Sequence, residues 1–171
     1  MASTMISTGS FTLLVLCGLM MVVIAGETEV RSIRNVTYMH ACPYSWFHYG
    51  TRCFRFVHTA RTWAESEQYC VMIGGNLASV HNKKEYNFIK DLVRRHTHDS
   101  RITWIGGYDA LQEGLWLWSD GSRFDYTHWY PGEPNNYGKR EHCLVINFKD
   151  LRGWNDGQCS DRFSSVCSRY P

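Results

Sequence analysis

The sequence predicts an α+β fold: two helices in its first half, short antiparallel strands in its second, and a long loop between two of those strands. Three observations carry this. Two stretches open with helix-capping patterns, at Thr62 and at Asn82. Short runs further along (ITWIGG, LWLWS, CLVINF and SVCSR) are rich in β-branched and aromatic residues and are separated by Gly, Pro, Asn and Asp. Residues 120–141 (DGSRFDYTHWYPGEPNNYGKRE) fit neither period, and a loop of about 20 residues inside one domain is usually functional.

In chain order, residues 11–25 read FTLLVLCGLMMVVIA, and no Asp, Glu, Lys or Arg precedes Glu27. Closed by the small residues Ala25 and Gly26, this run has the pattern of a secretory signal peptide. The competing reading, an uncleaved anchor, asks for about 20 apolar residues with basic residues on one flank, and neither is present. Residues 1–25 are therefore expected to be a signal peptide, 26–41 a polar N-terminal extension without periodicity, and 42–171 one domain. The mature protein is expected to be secreted, with no membrane span after cleavage. Asn35-Val36-Thr37 is an N-glycosylation sequon within the extension.

Residues 52–57 (RCFRFV) alternate as an early strand. Thr62-Trp63-Ala64-Glu65 then forms a capping box, in which the threonine hydroxyl and the glutamate carboxylate each satisfy a free backbone N–H, and Gly74-Gly75 ends the helix it opens. The second helix starts at Asn82 with Glu85 three residues on. It carries Tyr86, Ile89 and Val93 at helical spacing and fades around His96.

Of 7 cysteines, Cys17 lies in the apolar run, which leaves Cys42, Cys53, Cys70, Cys143, Cys159 and Cys167 in the mature chain. An even set suits disulfides in an oxidising compartment, while a zinc site would want close pairs such as Cys-x-x-Cys, and none occurs. Spacing alone leaves the pairing open. The net charge of +2, from 18 basic and 16 acidic residues, is too balanced to argue for nucleic acid or a membrane surface as partner. Lys83-Lys84 and Arg94-Arg95 read as solvated helix faces.

The chemistry gathers in and after the long loop. Glu133-Pro134-Asn135 is followed by Glu141, and Asn155-Asp156 comes after Trp154. Every side-chain donor in this set is an oxygen, from three carboxylates and two amides. That mixture suits calcium, which takes oxygen ligands, whereas transition metals prefer His or Cys. A cis bond before Pro134 would aim the flanking side chains to one side. Without further knowledge, an ordinary polar turn followed by an Asx turn accounts for the same residues equally well.

The spacing resembles that of C-type lectin domains from Cys42 to Cys167. It does so through Glu133-Pro134-Asn135, Trp154-Asn155-Asp156, the core signature Trp104-Ile105-Gly106-Gly107 and all six cysteines in register. The overall layout is similar to small, secreted, single-domain fish lectins, and type II antifreeze proteins share the scaffold. The resemblance implies a C-type lectin-like fold with a calcium-binding loop region and three disulfides, Cys42–Cys53, Cys70–Cys167 and Cys143–Cys159. It implies that Glu133, Asn135, Glu141, Asn155 and Asp156 hold Ca2+ and contact a sugar. It also implies mannose-type specificity, since Glu-Pro-Asn goes with mannose, glucose, fucose or N-acetylglucosamine and Gln-Pro-Asp with galactose. Swapping acid and amide reverses the donors and acceptors that face the sugar hydroxyls.

A second calcium position in the family is matched only in part, by Asp109, Glu113 and the shared Glu141, with Asn136 and His142 where acids are expected. The expected partners are glycans, including those of microbial surfaces, and any homo-oligomer must be non-covalent because no mature cysteine is left over. An enzyme is not expected. Eight histidines, His96 and His98 among them, fall into no nucleophile elbow and no HExxH motif. Calcium-dependent ice binding on the same scaffold is the more serious alternative, and a denser cysteine framework would favour it. A third is a protein-binding module whose calcium only shapes the loops.

Overall fold

The computed structural model describes residues 42–149 and 152–171. The expected signal peptide and N-terminal extension, with Cys17 and Asn35, lie outside them. The chain runs β1 (Phe47–Tyr49), β2 (Arg52–Arg61), α1 (Trp63–Met72), β3 (Asn76–Leu77), α2 (Lys83–Thr97), β4 (Thr103–Tyr108), β5 (Leu117–Trp118), a 3-10 turn (Tyr137–Lys139), β6 (Glu141–Phe148), β7 (Gly153–Gln158) and β8 (Phe163–Arg169).

Both helices begin where the capping residues put them. The Thr62 hydroxyl accepts from the Glu65 N–H at 3.2 Å, and the Glu65 carboxylate accepts from the Thr62 N–H at 3.0 Å, which closes the capping box. The Asn82 side chain accepts from the Glu85 N–H at 2.9 Å. Glu85 itself turns inward, where it accepts from the His81 N–H at 2.8 Å and pairs with the Arg52 guanidinium at 2.5 Å. α2 runs one residue past His96, and its C-cap His98 adopts a left-handed conformation. Lys83, Lys84, Arg94 and Arg95 are exposed, as solvated faces require.

The strands form one sheet in the order β1-β2-β8-β4-β6-β7, with β3 on β8 and β5 on β4. Successive residues of a strand point to opposite faces, so two apolar clusters result. Phe54 and Phe56 of β2, Ile105 of β4, Leu144 and Ile146 of β6 and Val166 of β8 join Tyr86, Ile89, Leu92 and Val93 of α2. Their neighbours Cys53, Val57, Trp104, Cys143, Val145 and Cys167 join Cys70 of α1. The inner strands are covered on both faces, which is why β4 and β6 read as near-continuous apolar runs.

The expectation of antiparallel strands needs one correction: β4 and β8 pair in parallel, through Thr103↔Ser164 and Trp104↔Ser165. The long chain separation between them, which includes the loop and β6–β7, allows a crossover that a hairpin would forbid. Of the two readings open for Asn155 and Asp156, the Asx turn is not formed, since both residues lie on β7. The three disulfides Cys42–Cys53, Cys70–Cys167 and Cys143–Cys159 are those implied by the family resemblance. Gly106 and Gly107 are set by close approach, since a Cβ on Gly107 would meet Leu144 Cδ1 at 2.6 Å and one on Gly106 the Leu77 carbonyl at 2.7 Å.

Candidate functional site

The long loop is held by aromatic side chains packed on Trp154. Trp118, Phe124, Tyr126 and Trp129 all place their rings within about 6 Å of its indole, mostly edge-on. The backbone is tied at the same place, where Trp154 N–H donates to the His128 carbonyl and Tyr130 N–H to the Trp154 carbonyl, both at 2.8 Å. Gly153 has no room for a side chain, because its Cβ would lie 2.8 Å from the Tyr130 backbone. Sequence reasoning missed this anchor. Its signal was there, in Phe124, Tyr126 and Trp129 spaced through an otherwise polar segment.

From this anchor the chain turns back over β6 and β7. The Glu133–Pro134 bond is cis. Beyond it, the two oxygens of Asp156 accept separately, Oδ1 from the Asn135 N–H at 3.1 Å and Oδ2 from the Asn136 N–H at 2.7 Å. Glu141 at the start of β6 accepts from the Tyr137 N–H at 3.0 Å, and its own N–H donates to Asn136 Oδ1 at 3.1 Å. Strand register puts Leu144 opposite Asp156 and Val145 opposite Asn155, so the loop tip, β6 and β7 converge. Cys143–Cys159 joins those two strands just beyond.

Asp156 is 1% exposed and Asn155 8%, whereas Asn135 is exposed and Glu133 and Glu141 are half-buried. Glu133 Oε2 and Asn155 Oδ1 are buried with no hydrogen-bond partner in the protein, though the Asn155 amide nitrogen donates to the Asp156 carbonyl. Two buried acceptors without donors, side by side with carboxylates, are costly unless a cation or donor meets them. The charges tell the same story. Burial, reinforced by the negative Asp156 and Glu141, raises the pKa of Glu133 above the ordinary carboxylate value. Burial also raises Glu141, where the Tyr137 N–H works against it and Asp156 with it.

Beside this group lies a second cluster. Asp109, at the end of β4, is 2% exposed; its Oδ2 accepts from the Gly114 N–H at 2.8 Å and its Oδ1 faces His142 Nδ1 at 3.1 Å. Glu113 Oε2 lies 3.5 Å from the same nitrogen and also accepts from the Asn136 amide. Of the four residues expected at a second calcium position, Asp109, Glu113 and Asn136 thus share one neighbourhood, which Glu141 joins through Asn136. His142 enters as the residue with a metal-binding atom near both acids.

The sequence model described as Lectin C-type domain matches residues 59–169. Ladderlectin of Oncorhynchus mykiss is 53% identical over 124 residues, which cover 72% of this chain and 65% of that protein. The galactose-specific lectin nattectin of Thalassophryne nattereri is 45% identical over 129 residues, 75% of this chain and 80% of that one. The chain thus spans just under two thirds of ladderlectin's length. Among solved structures, the herring type II antifreeze protein superposes with a TM-score of 0.72 at 33% identity, over 76% of this chain and 99% of that one.

Proposed function

The chain belongs to the C-type lectin domain family, and from that premise we propose that it binds mannose-type sugars through Ca2+ held by Glu133, Asn135, Glu141, Asn155 and Asp156. It is a carbohydrate-binding module of that family and not an enzyme. The observation that carries the calcium reading is the pair of orphaned, buried acceptors, Glu133 Oε2 and Asn155 Oδ1, beside the buried carboxylate of Asp156. The donor set fits a hard divalent ion, since all its members are oxygens and its three carboxylates outweigh the ion's two charges.

Bound there, calcium supplies open coordination positions to two neighbouring hydroxyls of a sugar ring. The protein's own groups select among sugars. Carboxylates of Glu133 and Glu141 accept from the hydroxyls, while the amides of Asn135 and Asn155 donate to them. The order acid-proline-amide at 133–135 supports mannose, glucose, fucose or N-acetylglucosamine over galactose. Nattectin is galactose-specific by name, so the order of these two side chains is what the reading stands on.

The same reading makes the protein extracellular: a signal peptide at 1–25, an extension at 26–41 with a glycan on Asn35, and a lectin domain at 42–171. Its partners are mannose-type glycan ends, those of microbial surfaces among them, and any homo-oligomer is non-covalent. A glycan array with and without EDTA, repeated on the double variant Glu133→Gln, Asn135→Asp, tests it. The wild type is expected to bind mannose-type ligands only with calcium, and the variant to shift toward galactose. Calcium-dependent binding of the wild type to galactose alone overturns the specificity.

Similarity to the herring type II antifreeze protein favours a second reading, calcium-dependent ice binding by the same loops. Thermal hysteresis that disappears in EDTA, in a protein that no mannose column retains, would support it over the lectin.

A further inference from the structure

The residues at the second calcium position do not fit calcium. The family resemblance expects acids at positions 136 and 142, and this chain has Asn136 and His142. The Asn136 side chain is engaged on both ends, its oxygen by the Glu141 N–H and its nitrogen by Glu113. What is left are two carboxylates and one imidazole, with a carboxylate oxygen of Asp109, one of Glu113 and a ring nitrogen of His142 all within 4.8 Å of one another. Calcium gathers six to eight oxygens and gains little from imidazole, whereas zinc takes nitrogen and carboxylate oxygen together in a four-coordinate shell.

We propose that Asp109, Glu113 and His142 form a zinc site beside the sugar-binding loops. Donors at about 2.0–2.2 Å from a tetrahedral ion lie roughly 3.3–3.6 Å apart. The structure separates His142 Nδ1 from Asp109 Oδ1 by 3.1 Å and from Glu113 Oε2 by 3.5 Å, so small side-chain shifts bring all three into range. Two carboxylates neutralise the ion, and water completes the shell. The buried Asp109 is fixed in advance, because its other oxygen holds the Gly114 N–H at 2.8 Å. Such support of a ligating carboxylate is typical of metal sites.

The location gives the ion a consequence. Asp109 and Glu113 come from the connection after β4, while His142 follows Glu141 on β6. Zinc would therefore tie that connection to the strand that carries the proposed calcium ligand Glu141, and the two ions would be coupled, each changing the other's affinity by the same factor. The zinc site itself does not depend on the sugar reading.

Titration calorimetry of the metal-free protein with Zn2+ tests the assignment, alongside Ca2+ titrations of the same samples. The wild type is expected to take one zinc equivalent. Affinity should fall roughly tenfold or more in His142→Ala, while Glu133→Gln leaves it intact. His142→Asp is expected to lose zinc and strengthen a second calcium equivalent, a gain that a misfolded variant would not show. Absence of stoichiometric zinc binding overturns the proposal and leaves His142 as the ion-pair partner of the two acids. So does zinc binding that His142→Ala does not weaken, or that Glu133→Gln abolishes.

Discussion

Glu133 carries an electrostatic load that a bound cation would relieve. Burial first, then the negative charges of Asp156 and Glu141, hold its pKa above the ordinary carboxylate value. A carboxyl that binds its proton more tightly in the folded than in the unfolded chain stabilises the fold at low pH. That contribution is lost as pH rises from about 4 through the raised folded value. Glu141, also raised, acts in the same direction, whereas Glu65, held low first by the Thr62 backbone N–H, acts in the opposite one. The informative quantity is therefore the difference between wild type and Glu133→Gln. Without calcium, melting curves from pH 4 to neutrality should show the wild type losing stability relative to the variant; with saturating calcium the trend should vanish or reverse. A difference that does not change with pH would mean that Glu133 is not under this electrostatic load.

At the scale of elements, Trp154 connects the fold to the site, because β7 carries its indole into the core and, two residues on, the Asp156 carboxylate to the Asn135 and Asn136 N–H groups of the loop. Trp154→Ala should cost about 3–5 kcal/mol by chemical denaturation, and sugar binding should fall further than that of a comparably destabilised variant elsewhere in the core. Gly107→Ala should cost about 1–3 kcal/mol, since its Cβ would meet Leu144 at 2.6 Å. Replacing Cys70 and Cys167 by serine opens a separation of 97 residues and should cost about 2–5 kcal/mol. The elements also mark what the sequence made legible. Thr62 and Asn82 announced both helices through short-range capping chemistry, and β4 and β6 announced themselves by apolar runs. β7 did not, because GWNDGQ contains no β-branched residue and is a strand only by pairing with β6. The parallel β4–β8 pairing and the meeting of Asp109 with His142, 33 residues apart, are tertiary contacts with no local pattern to reveal them. The five calcium candidates were legible as oxygen chemistry, but assigning them to a sugar site required the family resemblance.

On the proposed reading, the domain offers one sugar site beside a sheet whose inner strands are covered on both faces. A single sugar on a single ion makes few contacts, and millimolar affinity corresponds to only about 4 kcal/mol. Useful binding to a cell surface then depends on several copies acting together. All six cysteines of the domain are paired within it, so such copies are expected to associate without disulfides, and agglutination should disappear on dilution before monosaccharide binding does. Calcium-dependent recognition of mannose-type sugars is proposed at Glu133, Asn135, Glu141, Asn155 and Asp156. Chromatography of the mature protein on mannose-agarose is the decisive measurement: retention in calcium with release by EDTA and by free mannose is expected, whereas retention that survives EDTA, or release by galactose alone, rules the assignment out.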